Sequence, residues 1–394
     1  MQNSSFHPTR WTLVFLLLSS MMILMGGAAV APALPAISQA FPDASEALIA
    51  MIITLPALAI ACTGFFIGAA VDKFGRLPVL TISLIIFTFA GASGFFLPTL
   101  PAILAGRIIL GIGIAGIISS TTALITDYYN GPCRVRVLGY QAAAMGIGVL
   151  ILDTSGGLLA GISWRTAFLI YGIGLFILIG TLITMKEPAR EKTVSNRDTP
   201  KVRVPAAPIA LIYGTLFIGM TLFFQMPTKF PYLVAGFTAD SAIISGILLG
   251  VMGCFSALVG VFYWRIAGKV HRVMNLALSF LLLGVGYCLF GISASLATIL
   301  IAVIIVGLGN GLLMPTVLGW LGRITPPPVM GKVMGGYGAS LNIGQFVSSF
   351  AAVPILLIAA SYGNMFLIFG LASLCIGVVY VIGYLHVRRV PEAS

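Results

Sequence analysis

The chain has very few charged residues, and this scarcity argues against a soluble domain. Only 8% of its 394 residues are Asp, Glu, Lys or Arg, whereas 59% are hydrophobic. Soluble domains carry roughly 25% charged residues. Uncharged apolar runs such as LTISLIIFTFAGASGFF recur along the sequence, and they reach the length of roughly 18 residues that is typical of a membrane-spanning helix. The composition therefore predicts a protein whose solvent is largely lipid.

Cysteine and histidine are also sparse, and their spacing argues against disulfide and metal chemistry. The five cysteines are scattered singly without a CxxC pair, and His7, His271 and His386 lie far apart. The sequence GIGIAG at 111–116 fits the dinucleotide pattern GxGxxG, but it lies inside an apolar helical run, where small residues favour tight helix packing. No catalytic constellation stands out. We therefore expect no metal, no cofactor and no enzyme activity.

The long apolar runs are expected to be helices, because lipid offers no partner for unpaired backbone groups. The short alternating segments of a membrane β-barrel are absent from the sequence. The pattern predicts twelve spanning helices, at residues 11–36, 46–70, 79–97, 101–126, 136–159, 165–185, 207–226, 242–264, 273–294, 296–320, 332–356 and 364–386.

Basic residues fall almost entirely on one side of this arrangement. The exceptions are Arg107, which lies inside a helix, and Arg165 and Lys229, which are placed in outer connections. Lys and Arg mark the cytoplasmic side of membrane proteins, so we predict cytoplasmic termini and a charged cytoplasmic linker at 186–206. The net charge of +11 then reflects membrane topology, and no nucleic-acid partner is expected.

The two halves of the chain resemble each other at an offset of 196 residues. Three pairs of stretches keep similar residues at this offset: 73–76 and 269–272, 111–113 and 307–309, and 136–148 and 332–344. Duplicated halves are typical of transporters that bind substrate between them. We predict an all-α membrane protein of twelve transmembrane helices, with two six-helix bundles at 1–185 and 207–394 related by a pseudo-two-fold axis.

The stretch GAAVDKFGR at 68–76 places one acid and two bases between apolar helices. It resembles the signature loop of the major facilitator superfamily, with matches at Gly68, Asp72, Lys73, Gly75 and Arg76. Arg107 and Gly111 are similar to that family's motif in the fourth helix. APALPAISQAF in the first helix and GIGVLILDTSGGLLAG in the fifth resemble the drug:proton antiporter branch, with Asp153 and Thr154 where that branch has Gly-Pro.

The resemblance implies a transporter that works by rocking two halves about a central site. We expect a monomer in the cell membrane that exports small organic, drug-like solutes in exchange for protons. One alternative is a facilitator or proton-coupled importer of a metabolite. A more remote alternative is a membrane receptor or enzyme without transport activity.

The resemblance also implies that the signature loop closes the cytoplasmic side when the halves tilt outward-open. Asp72 is expected to cap the N-terminus of the eleventh helix, at residues 331–334, where free N–H groups favour an anion. Arg76 is expected to pair with Asp127 at the cytoplasmic end of the fourth helix. These contacts would hold one of two tilted states.

The remaining loop residues have simpler expectations. Gly68 and Gly75 are expected to allow close backbone approach and a tight turn. Lys73 is better explained as an anchor at the basic surface than as a gate residue.

Two charged residues fall inside predicted spans. Counting 1.5 Å per residue places Arg107 and Asp153 at a similar depth, each about 9 Å from the outer end of its helix. We expect an ion pair, because a lone charge in the membrane is more costly. The pair is either permanent and structural, or it opens when Asp153 is protonated and so couples protons to transport.

Polar residues on helices that are expected to line the cavity are candidates for substrate contact. They are Gln141, Gln225, Asn310, Asn342 and Gln345. Each of them can equally satisfy a hydrogen bond between helices. The rest of the cavity is expected to be apolar, which suits a hydrophobic or amphipathic solute.

Overall fold

A computed structural model describes residues 8–23, 26, 29–188, 205–267 and 270–389. Every regular element in these residues is helical, comprising fourteen α-helices and four short 3₁₀ turns. The prediction of an all-α protein is therefore confirmed. By contacts, the chain divides into two compact units at residues 200 and 201. Most of the predicted linker, residues 189–204, lies outside the described residues, as do Lys269 and His7.

Unit 1 contains seven described α-helices. They are α1 (Arg10–Met21), α2 (Leu34–Ala40), α3 (Glu46–Phe74), α4 (Arg76–Ala92), α5 (Leu100–Tyr128), α6 (Gly131–Ile162) and α7 (Ile173–Thr184). Three 3₁₀ turns accompany them, at Ala31–Ala33, Ser93–Phe95 and Thr166–Gly172.

Unit 2 also contains seven described α-helices. They are α8 (Ala206–Phe223), α9 (Gln225–Ala235), α10 (Ser241–Ala267), α11 (Arg272–Gly291), α12 (Leu296–Ile324), α13 (Met330–Ala359) and α14 (Tyr362–Arg389). A 3₁₀ turn at Pro327–Val329 precedes α13.

Eleven helices in the described residues are long and apolar enough to cross a membrane, and Arg10–Met21 is a shorter apolar helix. The first predicted span, 11–36, is divided among α1, the Ala31–Ala33 turn and α2. Proline stands in the first positions of the last two elements, where its fixed φ and missing N–H suit a helix start. The count of twelve spans stays a prediction.

The seventh predicted span, 207–226, was too short. The structure continues it through α9 to Ala235, after an interruption at Phe224 between α8 and α9. Two prolines, Pro227 and Pro231, fall in this continuation, and Pro231 lies inside α9. Proline often marks the end of a helix, yet it is tolerated in membrane helices where neighbouring elements satisfy the backbone.

The surface of the chain suits lipid. Side chains such as Phe65, Ile183, Leu357 and Ile358 are exposed over 78% or more of their area. Soluble monomers avoid large exposed apolar patches, whereas a hydrocarbon solvent favours them. Together with the long apolar helices, this surface indicates a multi-pass membrane protein.

Glycines allow α5 and α12 to pack tightly in their own units. A Cβ on Gly111 would collide with Pro56 of α3, and one on Gly113 would crowd Ser83 and Phe87 of α4. These contacts explain GIGIAG as a packing motif, because small residues let helix backbones approach closely.

Unit 2 repeats these contacts at the same offset of 196 residues. Gly307 approaches Met252 of α10, and Gly309 approaches Ser279 of α11. Met252 corresponds to Pro56 and Ser279 corresponds to Ser83 at this offset. The two units therefore use equivalent positions to contact their equivalent glycines.

Candidate functional site

The signature loop is a one-residue turn between α3 and α4. Gly75 adopts φ 113° and ψ 159°, a region that is essentially restricted to glycine. The turn directs Arg76 away from the end of α3, and Arg76 is the first residue of α4. The backbone conformation of Gly75 thus explains why a glycine stands at this turn.

Arg76 is linked to the end of α5 through its side chain. Its Nε donates a hydrogen bond of 2.8 Å to Oδ2 of Asp127, and the two side chains are 22% and 29% exposed. This contact is an ion pair. It joins α4 to α5 at the end of unit 1 that also carries Lys73.

Glu187 is a member of this cluster that the sequence interpretation missed. Its Oε1 accepts 2.9 Å from the backbone N–H of Arg76, and its Oε2 accepts 2.7 Å from that of Leu77. The neighbouring carbonyl of Lys186 accepts 2.5 Å from the Tyr128 hydroxyl. Free N–H groups at a helix start favour a carboxylate, so Glu187 caps α4 from outside the signature loop.

The remaining loop residues lie on α3. Asp72 and Lys73 are exposed on the last turn of α3, and the Lys73 ammonium lies 5.3 Å from the Phe74 ring centroid. No heavy atom lies within 4 Å of the position that a Cβ would take on Gly68. The close approach expected at Gly68 is therefore not present in this structure, since the glycine has open space beside it. The expected contact of Asp72 with residues 331–334 joins the two units and stays a prediction.

Arg107 of α5 is 1% exposed and is enclosed by α4 and the Thr166–Gly172 turn. Its Nη2 donates 3.1 Å to the carbonyl oxygen of Gly91. The guanidinium carbon lies 4.5 Å and 5.0 Å from the ring centroids of Phe168 and Tyr171. Gly91 is required here, because a Cβ would collide with Tyr171. The buried guanidinium is thus held by the Gly91 carbonyl and by two aromatic rings.

Asp153 of α6 is 2% exposed, and its Oδ1 has no hydrogen-bond partner in the structure. The expected ion pair of Asp153 with Arg107 is not present in this structure, in which the Arg107 guanidinium binds the Gly91 carbonyl and the two aromatic rings. Tyr171 lies against Arg107, with its ring centroid 5.0 Å from the guanidinium carbon.

The reason for this correction is the way in which the helices pack. α5 packs chiefly on α3 and α4, whereas α6 packs on α1 and the Thr166–Gly172 turn. Helical rise predicts depth along the membrane normal but not the direction in which a side chain points. Helices that follow each other along the chain were taken to be close neighbours, and α5 and α6 are not.

The candidate substrate residues lie on separate helix seams. In unit 1, Nε2 of Gln141 donates 3.0 Å to Ser20 Oγ on α1. In unit 2, Nε2 of Gln225 donates 3.0 Å to the Ser348 carbonyl, and the Ser348 hydroxyl donates 2.6 Å to the Gln345 carbonyl. Gln225 and Gln345 therefore share the seam of α9 and α13.

Two further candidates lie elsewhere in unit 2. Nδ2 of Asn310 donates 3.0 Å to Ser256 Oγ on α10, and Nδ2 of Asn342 donates 2.7 Å to the Gly338 carbonyl of its own helix. Oδ1 of Asn310 and Oε1 of Gln225 are buried without a hydrogen-bond partner. Buried acceptors without a partner are costly, so these two amides are the candidates that retain an open polar atom.

Lys229 was assigned to an outer connection from the sequence, but the structure buries it completely within α9. It follows Gln225 by one helical turn, and its ammonium lies 5.7 Å from the Tyr232 ring centroid. Buried lysines are unusual and often functional in membranes. The apolar run FPYLVAGF that follows Lys229 was the signal that its helix continues.

Comparisons with known proteins agree with the fold and with these motifs. A sequence model of the Major Facilitator Superfamily matches residues 16–277 and 211–394. The tetracycline resistance protein, class C, of Escherichia coli is 28% identical over 82% of both chains. The tetracycline resistance protein, class H, of Pasteurella multocida is 24% identical over 97% of this chain and 98% of the relative.

A solved structure extends the likeness to the fold. The crystal structure of a D-xylose-proton symporter matches with a TM-score of 0.77 and 17% identity, and the match covers 94% of this chain and 96% of that one. The signature loop, the buried arginine of α5 and the matched family model lead to one assignment. This protein belongs to the major facilitator superfamily, whose members are membrane transporters and not enzymes.

Proposed function

We propose that this protein is a secondary active transporter that exports small organic, amphipathic compounds across the cell membrane in exchange for protons. It does so by rocking two halves, 1–185 and 207–394, about a central site. Its termini and the 186–206 linker face the cytoplasm, because basic residues concentrate at that side. It acts as a monomer.

The observation that carries the proposal is the environment of Asp153. This acid lies within a membrane-spanning helix, is 2% exposed, and has no ion-pair partner among the described residues. A permanent charge at such a place is costly, and ionisable groups inside membranes commonly belong to proton relays. Arg107 is a second buried charged residue of the same unit, but it binds the Gly91 carbonyl and not Asp153. Protonation of Asp153 therefore changes the balance of charge in unit 1 during each cycle.

The relatives support the choice of substrate class. Two of them are named for tetracycline resistance, and tetracycline is the first compound to test. The candidate contacts Gln225 and Asn310 each keep a buried amide oxygen without a partner. Such isolated acceptors suit a mostly apolar solute with few polar groups.

The cluster at the cytoplasmic end supplies the gate. Arg76, Asp127 and Glu187 hold the start of α4 to the end of α5 and to the chain that leaves α7. Asp72 remains exposed beside them. In the proposed cycle Asp72 caps the start of α13 in one of the two tilted states.

The experiment is transport by purified protein in liposomes with an imposed pH gradient. Wild-type protein is expected to move tetracycline in the direction opposite to the flow of protons down their gradient. This movement should stop when an ionophore collapses the pH gradient. Asp153→Asn removes the proton-binding group and keeps the shape, so gradient-driven transport falls to the level of empty liposomes. The matched control is Asp43→Asn, because Asp43 is an exposed acid of the same unit.

Two outcomes would contradict the proposal. Transport by the wild type that is insensitive to the gradient would remove proton coupling. Tetracycline movement in the same direction as protons would indicate an importer.

A further inference from the structure

An apolar groove lies on the outer surface of unit 2, between α8, α11 and α14. Its volume is about 300 Å³, and it is lined by Leu211, Gly214, Ile218, Phe280, Ile376 and Tyr380. Leu211 and Ile218 are 54% and 42% exposed at its rim. The groove therefore opens at the surface of unit 2, where its rim is apolar.

Two side-chain contacts hold the floor of the groove together. The rings of Phe280 and Tyr380 stack at 5.9 Å with an interplanar angle of 5°. The Tyr380 hydroxyl is hydrogen-bonded to the Thr215 hydroxyl of α8. Gly214 creates the depression, since no heavy atom lies within 4 Å of where its Cβ would be. A preformed apolar groove of this kind accepts an extended alkyl chain with little loss of protein entropy.

One end of the groove leads to the basic end of unit 2. Tyr384 follows Tyr380 by one turn on α14, and its ring lies 5.3 Å from the His271 ring. His271 caps α11, and Arg272 is the first residue of that helix. Tyrosine and basic side chains at such a position are typical of the lipid headgroup region.

We propose that this groove binds an anionic phospholipid of the cytoplasmic leaflet. One acyl chain lies over Gly214 and against the Phe280–Tyr380 stack, and the phosphate is held near His271 and Arg272. The charge of the basic end determines the headgroup, and the apolar lining determines where the chain lies. This role goes beyond transport of a solute, and it requires no assumption about the substrate or the direction of transport.

The test is lipid binding to purified full-length protein, measured by native mass spectrometry. Phosphatidylglycerol and phosphatidylcholine with identical acyl chains are titrated into delipidated protein in detergent. Wild-type protein is expected to retain phosphatidylglycerol in preference to phosphatidylcholine. Gly214→Leu fills the depression and should weaken binding of both lipids about tenfold, since it displaces methylene contacts.

A matched control and a second variant separate the contribution of the apolar groove from that of the basic end. Gly260→Leu on α10 also adds a side chain at an exposed glycine with open space, and it should bind lipid as the wild type does. Arg272→Gln should reduce the preference for phosphatidylglycerol about fivefold, because one basic residue near anionic lipid contributes about that factor. This surface variant also tests the proposal if Gly214→Leu fails to fold.

Three results would overturn the proposal. The first is equal binding of both lipids by the wild type. The second is unchanged binding by a folded Gly214→Leu, or an unchanged headgroup preference in Arg272→Gln. The third is a change in oligomer mass without a change in bound lipid, which would make the groove an interface between copies of the chain.

Discussion

Glu187 and Arg76 are joined by a hydrogen bond of 2.9 Å from the backbone N–H of Arg76 to the carboxylate of Glu187. The side chain of the same arginine binds Asp127 at 2.8 Å. The start of α4 is thereby held from two directions, by an acid that follows α7 and by an acid at the end of α5. The start of α4 is therefore linked both to α5 and to the chain that follows α7.

Removal of the cap at Glu187 should destabilise unit 1. Glu187→Ala leaves the first N–H groups of α4 without their acceptor, and loss of a helix cap costs about 1 kcal/mol. Glu187→Gln keeps one oxygen acceptor and should lose about half as much. Thermal unfolding of the purified protein measures this, with Asp43→Ala, which changes an exposed acid in a turn, as the control. Equal melting temperatures for all variants would show that the cap does not contribute.

The ion pair of Arg76 and Asp127 can be tested by exchanging the charges. Arg76→Asp or Asp127→Arg alone places like charges together, and each should strongly reduce tetracycline transport. The double variant restores opposite charges and should recover part of the activity, although exposed pairs contribute only about 0.2–1 kcal/mol to stability. Transport rates normalised to the amount of protein in the membrane measure the coupling. Additive losses in the double variant would exclude a role for the pair.

Gly75 and Gly68 should respond differently to the same substitution. Gly75→Ala forces an L-residue into φ 113° and should cost about 1–3 kcal/mol. Gly68→Ala adds a methyl group in open space within a helix, and it should be neutral or stabilising by up to about 1 kcal/mol. Thermal unfolding of the two variants in the same detergent provides the comparison. A stable Gly75→Ala would be inconsistent with the turn described here.

Arg107→Lys tests whether the planar guanidinium matters beyond its charge. Lysine keeps the charge but loses the stacking on Phe168 and Tyr171, which is worth about 1–2 kcal/mol when desolvated. We expect a lower melting temperature and a loss of transport driven by the pH gradient.

Arg165→Lys is the matched control for this prediction. Arg165 also stacks on an aromatic ring, that of Trp164 at 4.3 Å, and donates 2.9 Å to the Leu97 carbonyl. Its replacement should lower stability similarly but preserve gradient-driven transport. If both variants kept transport, Arg107 would have only a structural role.

The parts of the site that could be predicted are local in the chain. The turn at Gly75 follows from a glycine between two helices, and GIGIAG was recognised as a packing motif because it lies within an apolar run. Glu187, which accepts a hydrogen bond from the backbone N–H of Arg76, was missed. It is 111 residues away in the chain, and it lies in the segment that was predicted to be a linker. Lys229 was placed in an outer connection because the predicted seventh span ends at 226, whereas the helical segment continues to Ala235.

The apolar runs of the chain were enough to establish that it is a multi-pass helical membrane protein, because the cost of burying backbone and charge in lipid depends on the composition of each segment. The signature loop was enough to indicate the family. The packing of the helices decided which charged groups contact each other. Arg107 points to Gly91 and two aromatic rings and not to Asp153, since the rotation of each helix about its axis depends on neighbours that are distant in the chain.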